Sequence, residues 1–248
     1  MLDSVRKWQG LILISAIASS TLWLAATDQL ELYVAPRHVV FATTMSFIGL
    51  IAALTSAFRL SVDHHAPALL PWARLAATMA TSVALFAAGT LLVLPPATLT
   101  SATANQRDIN STAVGDGGTA LADASAASSE TFANFSILDW ASLLKQTSDA
   151  EFYEDKAVVA VGFISEDPED PENMFYVSRF LVTHCAIDAQ PVGVPVYLEN
   201  WKSTFKPDQW IETSGGLTTN RSQVSGQPIV LMPEDIAGIE QPEDPYLY

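Results

Sequence analysis

One cysteine, Cys185, occurs in 248 residues. A lone thiol excludes an intrachain disulfide and any zinc site built from several cysteines. Charge is scarce too: 16% of the residues are charged, where a water-soluble domain usually carries about 25%. The shortage is local. Trp8–Thr27, His38–Phe58 and Leu75–Leu94 contain no Asp, Glu, Lys or Arg at all. Basic residues are scarce in the remainder, where residues 97–248 hold seven Lys and Arg against twenty-three acids. Phosphate binding needs a basic surface, so a nucleic-acid partner for this half is disfavoured and none is expected. Thr98–Glu130 has no aromatic residue and is rich in Ala, Ser, Thr and Gly. Nowhere does a phosphate-cradling glycine loop follow a strand pattern, and there is no nucleophile elbow. His184 is the only histidine after His65, so a Ser-His-Asp arrangement has one candidate base and nothing else to support it. No enzymatic activity is expected.

What is present divides the chain in two. A helix rises about 1.5 Å per residue, so each uncharged run of about 20 residues matches a hydrocarbon core of roughly 30 Å. Three transmembrane helices are predicted, at about 8–27, 38–58 and 75–94, making 1–96 a membrane region in contact with lipid. The first run follows Arg6 and Lys7 as a signal peptide would, but no small-x-small cleavage site precedes the next apolar run. Lys and Arg flank the N-terminus (Arg6, Lys7) and the second loop (Arg59, Arg74), against Arg37 alone in the first loop. That bias puts the N-terminus inside and everything after Leu94 outside the cell. Gly49, Ala53 and Ala57 recur at four-residue spacing, as do Ala76, Ala80, Ala84 and Ala88, and such stripes let helices pack closely in lipid. The absence of Asp, Glu, Lys and Arg within the spans argues against a self-sufficient transporter.

Residues 97–130 read as a flexible linker, since they bury too little apolar surface to offset ordering entropy. In 131–248 an amphipathic helix is predicted at Ile137–Gln146 with Ser136 as its cap. Five strands then follow: Ala157–Ile164, Met174–Thr183, Gly193–Leu198, Trp210–Leu217 and Pro228–Met232. Gly162 and Gly215-Gly216 suit bulges, and Pro195 an edge. The predicted fold class is an α+β membrane protein, three transmembrane helices followed by a small five-stranded OB-like β-barrel, with an SH3-like barrel or a sandwich as alternatives. The acidic stretch Glu166–Glu172 reads as a solvated hairpin tip rather than a calcium loop, because prolines interrupt it and glycine is missing. His64-His65 reads as an ordinary juxtamembrane pair. Trp201, Trp210, Tyr246 and Tyr248 are expected to close the core or cap the barrel end.

Three stretches, LPPATLTSATAN (94–105), YVSRFLVTHCAIDAQPVG (176–193) and DPYLY (244–248), together resemble the YcgQ-like family of permease subunits, which join a short membrane region to a C-terminal domain. The resemblance implies a bacterial multi-pass membrane protein partnered by a YcgR-type multi-spanning permease, with divalent-metal homeostasis as its theme. The chain departs from the family at one point, where His184-Cys185 stands for two adjacent cysteines; Asp188 keeps the acid. His184, Cys185 and Asp188 are a candidate metal set suited to zinc. Alternation puts Cys185 with Arg179 and Leu181 on one face and His184 on the other, so they could share an ion only if the chain turns near Thr183. The weightier reading of Cys185 is a small buried hydrophobe. Arg179, an unusual charge in an apolar strand, is expected to pair with an acid such as Asp188, with recognition as its lesser role. The implied function is a membrane-anchored accessory subunit of a permease; the alternative is a tethered extracytoplasmic binding or sensor module independent of transport.

Overall fold

A computed structural model describes residues 2–62, 99–111, 121–125 and 129–248, with scattered positions between 72 and 90. The chain divides into two compact units, Met1–Ala97 and Thr98–Tyr248.

In the first unit, α1 (Leu2–Ala26) and α2 (Pro36–Val62) pack against each other across a short 3-10 turn, Leu30–Leu32. One helix among the described residues is long and apolar enough to cross a membrane, Pro36–Phe58; the apolar part of α1, Gly10–Ala26, is shorter. The third predicted span, 75–94, lies outside the described residues apart from scattered positions. The small-residue stripe on α2 does what its spacing implies. Ala53 is buried, and a Cβ on Gly49 would sit 3.9 Å from Ile14 of α1. The hydroxyls of Ser20, Thr43, Thr44 and Thr55 fold back onto carbonyls of their own helices, a local satisfaction that suits an apolar surround. Most of α2 nonetheless faces outward: Val40, Phe41, Leu54 and Phe58 are each 64–76% exposed.

The second unit is mixed α+β, built on one six-stranded sheet. Its strands are β1 (Ala157–Glu166), β2 (Met174–Leu181), β3 (Gln190–Tyr197), β4 (Trp210–Thr219), β5 (Ile229–Gly238) and β6 (Tyr246–Leu247). The order is β1-β4-β5-β3-β2-β6, and β1 also pairs with β2, so five of the strands follow one another in a ring. All pairings are antiparallel except β3–β5 and β2–β6. β6 is a strand the periodicity did not reveal, because two residues carry no alternation. Gly215 follows a register shift, the bulge its sequence suggests. Gly162 is different: its ladders run without a shift, and a Cβ there would lie 2.5 Å from the Ser178 carbonyl oxygen. The glycine permits a close crossing, where β1 leaves β4 for β2. β3 meets β5 only at Val196–Leu231, so its 190–194 edge is largely open to other partners and tolerates Pro195.

One helix, Ile137–Gln146, starts at a reciprocal cap. Ser136 Oγ accepts from Asp139 N–H at 3.3 Å, and Asp139 Oδ2 accepts from Ser136 N–H at 2.9 Å. It buries Trp140 and Leu143 against the sheet's Val158, Ile164, Phe175, Val177 and Val194.

Part of the segment read as a linker is held by this unit. Leu99 N–H donates to Tyr246 Oη at 3.0 Å, and Ser101 N–H donates to Asp208 Oδ1. Asn110 fills the open β3 edge. Its N–H donates to Pro191 O at 3.0 Å and its Nδ2 to Gly193 O at 2.7 Å, while its Oδ1 accepts from Gly193 N–H at 2.9 Å. Composition predicts no core of its own for 99–111, and it has none; the strand edge orders it.

Gly162→Ala is expected to destabilise the second unit by about 2–4 kcal/mol, since backbone rather than a flexible side chain must yield. Gly216→Ala, with open space around its Cβ position, should leave the melting temperature almost unchanged; comparing the two melts checks the crossing.

Candidate functional site

The chemistry-bearing residues lie in the loops at opposite ends of β2. At its C-terminal end the chain turns as the candidate metal set requires, through a 3-10 turn, Ala186–Asp188. Asp188 organises this turn. Its carboxylate accepts from His184 N–H (3.1 Å to Oδ2), Cys185 N–H (3.2 Å to Oδ1) and the Thr183 hydroxyl (3.2 Å), and it lies 2.9 Å from His184 Nδ1. Slight burial works against the charge, but the main-chain N–H groups of His184 and Cys185, the His184 ring and the Thr183 hydroxyl outweigh it and hold Asp188 below the ordinary carboxylate range. His184 and Asp188 therefore come together, while Cys185 joins through its backbone. Among the described residues no three His, Cys, Asp or Glu side chains group to hold a metal ion. The His184 and Asp188 side chains alone supply fewer donors than the three or four that a zinc site takes from the protein.

Arg179 does not reach Asp188. Its Nε donates to Pro245 O at 3.3 Å and its guanidinium to Asp244 O, with Trp210 beneath it at 5.9 Å. Burial lowers its pKa from the usual arginine range, opposed by the charges of Asp244 and Tyr248. The expected acid partner is replaced by carbonyls of the C-terminal tail, because β6 lies beside β2 and brings the tail there. Trp201 and Tyr246 are buried, and Trp201 packs on Phe175 with ring centroids 5.1 Å apart. Tyr248 is half-exposed. His64 and His65 lie outside the described residues.

At the other end of β2, the acidic loop is not a solvated tip. Asp167 is 1% exposed and Asp170 is 7% exposed. Asp167 Oδ1 accepts from the N–H groups of Glu169 (2.7 Å) and Asp170 (3.0 Å), and its Oδ2 from the Ser225 hydroxyl (3.2 Å). Asp170 accepts from Ser222 Oγ (2.6 Å) and Asn173 Nδ2 (3.1 Å). Glu169 accepts from Gly226 N–H. Three carboxylates of the β1–β2 loop thus bind the β4–β5 loop, and the Pro171 carbonyl accepts from Trp201 Nε1 at 3.2 Å. Tyr176 is raised above the usual phenol range by burial, then by the charges of Asp167 and Glu169 and a hydrogen bond to Asp167. Lys202 pairs with Glu166 (3.4 Å) and Glu172 (3.6 Å). Sequence reasoning missed this network. Its signal is the Asp-Pro-Glu-Asp-Pro spacing, which sets short side chains where they cap their own turn.

A third feature joins the loops to the ordered segment. Arg107, Asp108 and Ile109 face Asp167, Pro168, Pro171 and Tyr176 across a cavity of about 420 Å³. Arg107 donates from Nη2 to Ile187 O at 3.0 Å, which links the segment to the turn at the far end of β2.

A family model described as the DUF1980 C-terminal domain matches residues 123–248. No match is found among curated proteins.

Two outcomes follow. The stability that Asp188 contributes is fully present above its unfolded pKa of about 4 and is lost as pH falls through its lower folded value. The gap in melting temperature between wild type and Asp188→Asn should therefore be constant above about pH 4 and shrink below it. Elemental analysis of the solubilised full chain should find equal, near-zero zinc in wild type and Cys185→Ser.

Proposed function

The chain belongs to the DUF1980 C-terminal domain family, and from that premise we propose that it is a membrane-anchored accessory subunit of a multi-spanning permease. The observation that carries this reading is the outward face of α2. Only 6% of its apolar window is buried within the chain, and phenylalanine and leucine side chains lie open along it. Water would leave that surface unfavourably exposed, whereas lipid and the helices of a larger membrane protein cover it at no such cost.

In this proposal three helices anchor the chain and the C-terminal unit is an OB-like barrel outside the cell. The ring order β1-β4-β5-β3-β2 and the parallel β3–β5 contact support the barrel. The Lys and Arg bias supports the orientation. The resemblance to YcgQ-like proteins supports a YcgR-type permease as the partner and a divalent metal as cargo. Seven bases against twenty-three acids give residues 97–248 a field that concentrates cations near the membrane surface. That role needs no resident metal site.

A second reading has its own observation. The β1–β2 and β4–β5 loops are cross-linked by Asp167, Asp170 and Glu169 into a rigid end of the kind that presents a ligand, which suits a tethered binding or sensor module.

Mild-detergent purification of the tagged full chain separates the two. A multi-spanning membrane protein recovered in a fixed ratio with it is the expected outcome. Recovery of the chain alone, with unchanged metal sensitivity in cells lacking it, would overturn the permease reading and leave the sensor.

A further inference from the structure

Both faces of β1, β2 and β3 are buried, although an antiparallel sheet commonly leaves one face to water. The inner face, with Phe175, Val177 and Val194, belongs to the core. The alternate residues Phe163, Ser165, Tyr176, Ser178 and Phe180 lie on the outer face, and none is more than 6% exposed. Residues 99–111 cross that face. The short helix Ser101–Ala104 packs on β1. Ala104, Arg107 and Ile109 line the cavity of about 420 Å³ together with Tyr176 of β2. Asn110 then bonds to Gly193 of β3. A Cβ on Gly193 would meet Ser178 Oγ and Tyr176 Cβ, which puts Gly193 on the same face.

This cover is held at its two ends and fits loosely between them. At one end Leu99 N–H donates to Tyr246 Oη and Ser101 N–H to Asp208 Oδ1. At the other, the Gly193 N–H and carbonyl point away from β2 to Asn110. Pro191 and Pro195, two residues to either side, share that direction and have no N–H. Asn110 therefore takes the one donor this stretch of edge offers, and Lys145 Nζ adds a bond to Ser111 O at 3.0 Å. Between the ends, Ala104 is the one buried apolar side chain of the segment. None of residues 99–111 belongs to the core cluster. A cavity remains where a packed layer would leave few voids larger than a water molecule. Arg107 Nη2 reaches Ile187 O, but Nη1 is shut in with no acceptor among the described residues, a cost that hydration on release removes.

We propose that residues 99–111 are a releasable strap. The second unit then has two states, one with the outer face of β1, β2 and β3 covered and one with it open. The inner core is common to both. Because the middle of the strap contributes so little, its two ends hold or let go together. Any ligand of the outer face has to displace the strap and compete with Asn110 for Gly193. This inference does not rest on the permease reading, and its test involves no partner.

The test is amide hydrogen exchange at single-residue resolution on the detergent-solubilised full chain. The Leu99, Ser101, Asn110 and Gly193 amides are expected to exchange together, at least about a hundredfold faster than Val192 and Val194, which face β2. Asp208→Gly removes the acceptor at one end and suits the left-handed φ of 66° there. It should speed exchange of Asn110 and Gly193, at the opposite end, at least about threefold. Asn110→Ala should do the same for Leu99 and Ser101, with Val192 and Val194 unchanged in both variants. Asp208 is exposed, so Asp208→Gly keeps the test decisive where Asn110→Ala lowers stability. Exchange of the segment at the rate of Val192 and Val194, effects confined to the substituted end, or equal acceleration of all β2 and β3 amides would each overturn the proposal.

Discussion

The second unit depends on one strand serving two partners. β1 pairs with β4 from Ala157 to Phe163 and with β2 from Phe163 to Glu166, so Phe163 stands opposite both Trp210 and Ser178. Such a handover bends a strand sharply, and at Gly162 the backbone of β2 comes closer than any side chain allows. Because β1 changes partner, the sheet turns its inner face onto itself. Val158, Ile164, Phe175, Val177, Val194 and Ile211 then share one core, roofed by the helix that carries Trp140. Burying each such side chain contributes about 1.5–3 kcal/mol, which a flat sheet of this size would not gain on one face alone.

Closure also decides where the loops meet. The stagger of β3 and β5 does this: Val196 near the end of β3 stands beside Leu231 near the start of β5, and Met174 at the start of β2 stands opposite Tyr197, so the β1–β2 and β4–β5 loops come together there. Their contact is made by carboxylates. Asp167 and Asp170 are buried, yet each charge is met by hydroxyl, amide or backbone N–H donors, and that pairing is what makes burying a charge tolerable. Prolines 168 and 171 stiffen the loop between them and reduce what ordering it costs. An apolar latch would hold the loops as firmly but would not fix the direction of each turn; Asx-type hydrogen bonds specify both.

Legibility followed the length of each pattern. The helix at Ile137–Gln146 was readable because apolar spacing and Ser136 point to the same start. The five longer strands were readable as apolar, β-branched and aromatic runs between turn-rich loops, but their bounds were not: β3 begins at Gln190 rather than Gly193, and β5 continues to Gly238 past Pro233, where composition turns polar. β6 was not, since two residues hold no period and the pairing depends on Arg179 gripping the tail carbonyls. The turn after β2 was readable from AIDAQPVG, but not the role of Asp188, whose partners are backbone groups with no residue identity. The acidic loop was misread for a related reason. Charge counting reports the average preference of carboxylates for water, whereas Ser222 and Ser225 come from distant sequence and, with Asn173 of the same loop, reverse it locally.

Arg107 and Asn110 show the same limit from the other side. Both lie in a stretch whose composition promises no structure, and both are ordered by something the stretch does not contain. β3 meets β5 at a single residue pair, which leaves main-chain donors and acceptors along 190–194 in need of partners. Asn110, in the left-handed conformation with φ 59°, presents its side-chain amide to Gly193 in the manner of a neighbouring strand. Once that contact forms, the few residues before it have little freedom, and Arg107 is brought to the wall of the β1–β2 loop. At its start the segment is tied through Leu99 to Tyr246, the residue that Arg179 helps hold on β2 by gripping the carbonyls just before it. The first and last stretches of the unit are therefore fastened to each other as well as to the sheet. A pull on the chain where it enters the unit would load that fastening before it reached the core, so the entry segment, and the cavity it walls, would yield before the sheet does.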